Sequence, residues 1–150
     1  MTEGKRPGGL TALAVINFVF GGLGALSLLG LIAMIAIVSS VADSEAHEKM
    51  KEAWEQAGGV GFLVLIVAIS VVSTGLIIAS GVGYLKQKKF LGRGLGNAYA
   101  LLSIVSSVLG SVMTPADAGG GFNLLRMIGL IYPIVTLILI NTTFKEDFVY

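Results

Sequence analysis

Four long stretches of this chain carry almost no charge: Leu10 to Val41, Val60 to Leu85, Phe90 to Met113 and Phe122 to Ile140. Each meets or exceeds the roughly 18 to 20 apolar residues that a helix, rising ~1.5 Å per residue, needs to cross a hydrocarbon core ~30 Å thick. The pattern predicts an all-α protein, a four-transmembrane-helix up-down-up-down bundle forming a single integral membrane domain over residues 1–150. Between the first two runs the pattern changes. Over residues 42–57, Ala46, Met50, Ala53, Trp54 and Ala57 fall on one helical face and the charges elsewhere, which predicts an amphipathic helix outside the hydrocarbon, stopped by Gly58 and Gly59. The first run is longer than a bilayer is thick, so that span either tilts or extends outward into this segment. Residues 86–89 leave room only for a tight hairpin between the second and third spans. Pro115 and Gly119 to Gly121 mark a turn before the fourth.

Composition sharpens this picture. Of 150 residues, 55% are hydrophobic and only 13% charged, against about a quarter charged in ordinary soluble domains, and the mean hydropathy is +0.88. Twenty-one glycines would weaken soluble helices, but in lipid they let helix backbones approach where no hydrophobic force drives association. Without cysteine, the chain offers no disulfide, thiolate nucleophile or Cys-ligated metal site. Lys5, Arg6 and a Ser40-Val41-Ala42 motif imitate a secretory signal, yet the first run is about twice the 7 to 15 residues of a signal's apolar region, so it is expected to stay in place as a span.

The basic residues assign an orientation. With both termini and the Lys86 hairpin in the cytoplasm, Lys5, Arg6, Lys86, Lys88, Lys89, Arg93 and Lys145 lie inside and only Lys49, Lys51 and Arg126 outside. The loop after the first span adds Asp43, Glu45, Glu48, Glu52 and Glu55 to its two lysines. The expectation is a multi-pass protein of the cell (inner) membrane with both ends cytoplasmic. The Lys86, Lys88, Lys89 and Arg93 cluster reads chiefly as positive-inside anchoring and also as a candidate contact for anionic lipid headgroups.

Small residues recur at four-residue spacing: Gly75, Ala79 and Gly83 in the second span, Gly92, Gly96 and Ala100 in the third, and Gly21 with Ala25 in the first. Ser103, Ser107 and Ser111 continue a small face down the third, one position displaced. These rows are helix-packing seams. The short hairpin forces the second and third spans together, which leaves the row in the first as the freer surface for a partner. The polar residues within the runs, among them Asn17, Ser70, Ser73, Thr74, Ser80, Asn97, Tyr99, Tyr132 and Thr136, include no acid, histidine or lysine, whereas proton relays and coupled ion sites are normally built from such groups. Asn17 and Asn97 are expected to satisfy their amides across helices, and Pro133 to cause a packing kink. Arg126, about one turn into the fourth span, reads as an interface anchor or a partner contact, and Met50 and Trp54 as partner or membrane contacts on the outer helix.

Catalytic chemistry finds no foothold. His47, the single histidine, shares a helical face with Asp43 but has no third ligand at helical spacing. Ser44, His47 and the nearby acids have no pocket or oxyanion donors around them. Gly92-Arg93-Gly94-Leu95-Gly96 lacks the preceding strand and the Lys-Ser/Thr ending of a nucleotide-binding loop. No catalytic residue, cofactor, metal or nucleic-acid partner is expected.

The opening Arg6-Pro-Gly-Gly-Leu-Thr-Ala-Leu-Ala-Val-Ile-Asn17-Phe-Val-Phe-Gly-Gly22 and the close, Tyr132-Pro133 with Asn141-Thr-Thr-Phe-Lys145, resemble small uncharacterised four-helix integral membrane proteins of bacteria. The resemblance covers the two ends of the chain and implies fold and membrane location, with no activity attached. The expected function is therefore a non-catalytic accessory or scaffold subunit that packs by small-residue helix faces against a larger membrane complex or copies of itself. The alternative is an oligomeric transporter or channel for a small solute or lipid, its path lined by Ser and Asn.

Overall fold

A chain this poor in polar side chains must satisfy its backbone N–H and C=O groups internally once water is removed, and the helix does so within a single segment. The computed structural model describes residues 7–40, 45–56, 59–113 and 124–149. Over these it is helical, with no strand among the described residues. Helix α1 runs Gly8–Ser40, α2 Glu45–Gln56, α3 Gly59–Leu85, α4 Leu95–Met113 and α5 Leu124–Asn141, with a six-residue π-helical segment, Lys89–Gly94, leading into α4. Three stretches are long and apolar enough to span a membrane: Gly8–Ile37, Val64–Leu85 and Lys89–Ser111. Helix α5 has 18 residues, about 27 Å at 1.5 Å per residue. The Pro115 and Gly119–Gly121 turn lies outside the described residues.

The helix ends have local causes. The Pro7 carbonyl accepts from the N–H of Leu10 at 3.1 Å and of Thr11 at 3.4 Å, closing the first turn of α1. Helix α3 ends in a doubly bonded C-cap: the Lys88 N–H reaches the Gly83 carbonyl at 3.0 Å and the Gln87 N–H the Tyr84 carbonyl at 3.4 Å. This is the Schellman arrangement, which requires a left-handed residue after the cap. Gln87 occupies that position with φ of 49°. At the other end of α3, Gly59 has φ of 74°, a left-handed conformation open to glycine without steric cost. Helix α5 continues through Pro133, whose ring is buried.

The chain divides into two compact units. One comprises residues 22–74: α1 beyond Gly21, α2, and α3 as far as Thr74. Within it α1 approaches α3 at Gly24, where a β-carbon would come within 3.1 Å of the Thr74 hydroxyl. On α2, Lys49 pairs with Glu45 at 2.8 Å across one exposed helical turn. The other unit comprises residues 1–21 and 75–150 and holds the core: Leu10, Leu13, Ala14, Tyr84, Ile140 and Phe148, flanked by Leu85, Tyr132, Leu139 and Phe144. In this unit the start of α1, the end of α3 and the end of α5 gather with the tail that follows α5.

Candidate functional site

Enclosed polar side chains in the second of these units link α1 with α3 and α5, and α4 with α5. Asn17 is wholly buried and donates from Nδ2 to the Ser80 hydroxyl at 2.7 Å, while its Oδ1 accepts from the Tyr132 hydroxyl. Ser80 in turn donates to the Ile77 carbonyl at 2.9 Å. One asparagine thus ties three helices together, with Phe20 edge-on to Tyr132 at 4.9 Å between ring centroids. The expectation that Asn17 satisfies its amide across helices matches this placement. The hydroxyls of Tyr84 and Thr136 are buried in the same unit and have no hydrogen-bond partner.

Nearer the hairpin, glycine permits an unusually close backbone approach. A β-carbon on Gly83 would fall into the backbone of Leu91 and Gly92, and one on Gly96 onto the Tyr84 hydroxyl. Gly92 is roofed by the Phe148 ring, which also faces Tyr84 at 6.0 Å between centroids. The Val149 N–H then reaches the Gln87 carbonyl at 3.1 Å, so the tail is bonded to the hairpin at the point where α3 ends.

The third feature is an arginine held by amides. Arg93, half-buried, donates from Nε to the Asn141 Oδ1 at 3.1 Å. Asn141 and Asn97 exchange hydrogen bonds, Nδ2 of Asn141 to Oδ1 of Asn97 at 2.6 Å and the reverse at 3.3 Å, and Asn141 also donates to the Leu137 carbonyl at 2.8 Å. Lys86, Lys88 and Lys89, which precede it in the hairpin, are exposed, as is Phe90.

Of the small residues singled out from spacing, Gly83, Gly92, Gly96 and Ala100 are buried, and Gly21 is covered by Ile77 and Ile78. Ala25, Ala79, Ser103 and Ser107 are half-buried, and the Ser107 carbonyl accepts from the Ser111 hydroxyl at 2.8 Å. Gly75 is exposed, with nothing near the position of a β-carbon. The side chains of Met50, Trp54 and Arg126 lie outside the described residues. Among the described residues no three His, Asp or Glu side chains come together.

Sequence reasoning passed over three residues that organise this region: Tyr84, Asn141 and Phe148. Tyr84 sits in the last turn of the second apolar run and Asn141 just past the end of the fourth, where an interfacial side chain is the ordinary expectation. Phe148 did carry a signal, an aromatic directly after the charged run Lys145-Glu146-Asp147. Comparison with protein-family models, with curated proteins and with solved structures finds no match to this chain.

Proposed function

We propose that this protein is a non-catalytic membrane subunit, an accessory or scaffold component that sits as a four-span up-down-up-down bundle with both termini in the cytoplasm and docks against another membrane protein or a second copy of itself. What carries the reading is the exposed apolar surface of α1 beyond Gly21. In residues 1–21 and 75–150, the close-packing glycines and most enclosed polar groups are matched to one another. In residues 22–74, α1 continues for more than four turns with Leu23, Leu26, Leu29 and Ile37 more than half exposed and with Gly22 and Gly30 uncovered. Large apolar side chains interrupted by uncovered glycines suit both acyl chains and a partner helix. The basic hairpin, Lys86 to Arg93, supports the cytoplasmic orientation, and α2, with its acids and lysines, belongs on the opposite side as an amphipathic segment.

Photo-crosslinking in native membranes tests this. A photoreactive residue in place of Leu26 or Ile37 should give one stoichiometric crosslinked protein species, another subunit or a dimer. One in place of Leu101, on the exposed side of α4, should give only lipid adducts. A chain that crosslinks to no protein at any of these positions, and purifies in mild detergent as a monomer, overturns the proposal. The alternative is a transporter that uses the polar side chains buried between the helices, Asn17, Ser80 and Thr136, and reproducible flux of a polar solute through reconstituted vesicles would establish it in place of the scaffold.

A further inference from the structure

We propose that Arg93, clamped by the Asn97–Asn141 amide pair beside Lys88 and Lys89, is a binding site for the phosphate of an anionic membrane phospholipid. The argument begins with how the guanidinium is held. Arginine has five N–H donors in a rigid planar fork, and here Nε–H is given to Asn141 Oδ1, leaving both Nη amino groups for another acceptor. Asn141 cannot swing away, because its own Nδ2 is bonded to Asn97 and to the Leu137 carbonyl. The side chain is therefore pre-oriented, which lowers the ordering cost of binding.

Charge supplies the second part. Asn141 is a neutral acceptor, and among the described residues no acid pairs with the arginine. A half-buried cation without a counter-anion is costly. Four basic residues lie between Lys86 and Arg93 with no acid among them. Glu146 and Asp147 lie on the tail that bonds to Gln87 through Val149. Neither forms an ion pair with Arg93 or a lysine of the hairpin; among the described residues the ion pair formed is Lys49 with Glu45.

Position identifies the anion's source. Arg93 lies four residues into the membrane-length stretch Lys89–Ser111, and Phe90, one turn earlier, is 74% exposed. An exposed aromatic directly after two lysines is what the boundary between headgroups and acyl chains accommodates, and a phosphodiester at that depth meets the fork of Arg93 while its acyl chains run along the apolar α4. A planar fork recognises phosphate oxygens in pairs, which a lysine cannot reproduce. This inference stands on the membrane location alone and is independent of any protein partner.

The test uses the purified full-length protein in neutral detergent, titrated with phosphatidylglycerol or phosphatidylcholine and read by native mass spectrometry. The unaltered protein should retain one phosphatidylglycerol with about tenfold preference over phosphatidylcholine, and millimolar inorganic phosphate should not displace it. Arg93→Lys keeps the charge and should lose about tenfold in phosphatidylglycerol retention. Lys51→Gln, on α2, lowers the net charge and should change retention less than twofold. Equal losses in the two variants would mean a diffuse charge effect and overturn the site; displacement by inorganic phosphate would overturn its assignment to lipid. If Arg93→Lys fails to fold, the selectivity of the unaltered protein decides alone: equal retention of the two lipids ends the proposal.

Discussion

At Gly83 a single hydrogen atom in place of a side chain decides whether two helices can meet. The nearest groups to a β-carbon there are the backbone atoms of Leu91 and Gly92, which cannot move aside as a flexible side chain can, so the extra methyl must push the hairpin apart. Gly75 has the same spacing in sequence but open space around it. Gly83→Ala should therefore cost about 1–3 kcal/mol, the usual range for overpacking, and Gly75→Ala should be close to neutral. Thermal unfolding in one detergent compares them directly, and equal midpoints would mean that Gly83 and Gly92 do not meet. Spacing marked all these glycines alike. Only the neighbours separate the covered positions from the open one, because a four-residue repeat defines a helix face without saying what lies across from it.

The hairpin between α3 and α4 shows what a whole element adds. Its two C-cap bonds require a left-handed residue at position 87, and the chain places a glutamine there with φ of 49°. A non-glycine residue in that region bears a steric penalty of about 1–2 kcal/mol. Gln87→Gly should remove much of it and raise the unfolding midpoint, the gain being about 0.5–1 kcal/mol after the greater freedom of glycine in the unfolded chain is set against it. A lower midpoint would show that the turn does not adopt this geometry. The helix limits themselves were legible in the sequence: the apolar runs starting at Leu10, Val60, Phe90 and Phe122 correspond to α1, α3, the π segment with α4, and α5 to within about two residues, the margin common at helix ends. The π-helical turn was not legible, since nothing in Lys-Phe-Leu-Gly-Arg-Gly distinguishes it from an α-helical start. The same holds for the tail, where the burial of Phe148 depends on the gap left by Gly92.

For the molecule as a whole, the sorting of basic residues leads to an orientation that can be read without perturbing the fold, since the chain has no cysteine. A single cysteine in place of exposed Lys88, and in a second variant exposed Glu52, gives two reporters. In intact cells a membrane-impermeant maleimide should label the Glu52→Cys protein and spare Lys88→Cys until the membrane is opened. The reverse pattern would place the hairpin outside. The three-helix knot around Asn17 belongs to this scale too, because it closes only when α1, α3 and α5 are assembled. Sequence supplied the asparagine and the expectation of a cross-helix bond, but not Ser80 and Tyr132 as its partners.

Length, apolarity and the near absence of charge in the long runs by themselves determined that the chain is helical and suited to a membrane, since lipid requires every backbone group to be paired and continuous apolar runs lack the alternation of barrel strands. Which side chains meet was decided by tertiary structure alone: Tyr84 against Phe148, Asn17 with Ser80 and Tyr132, Arg93 on Asn141. Helices uniformly apolar around their circumference carry no polar stripe to mark an inner face. Contact between them is settled instead by where glycine allows two backbones to close and where a few hydrogen bonds find their complement.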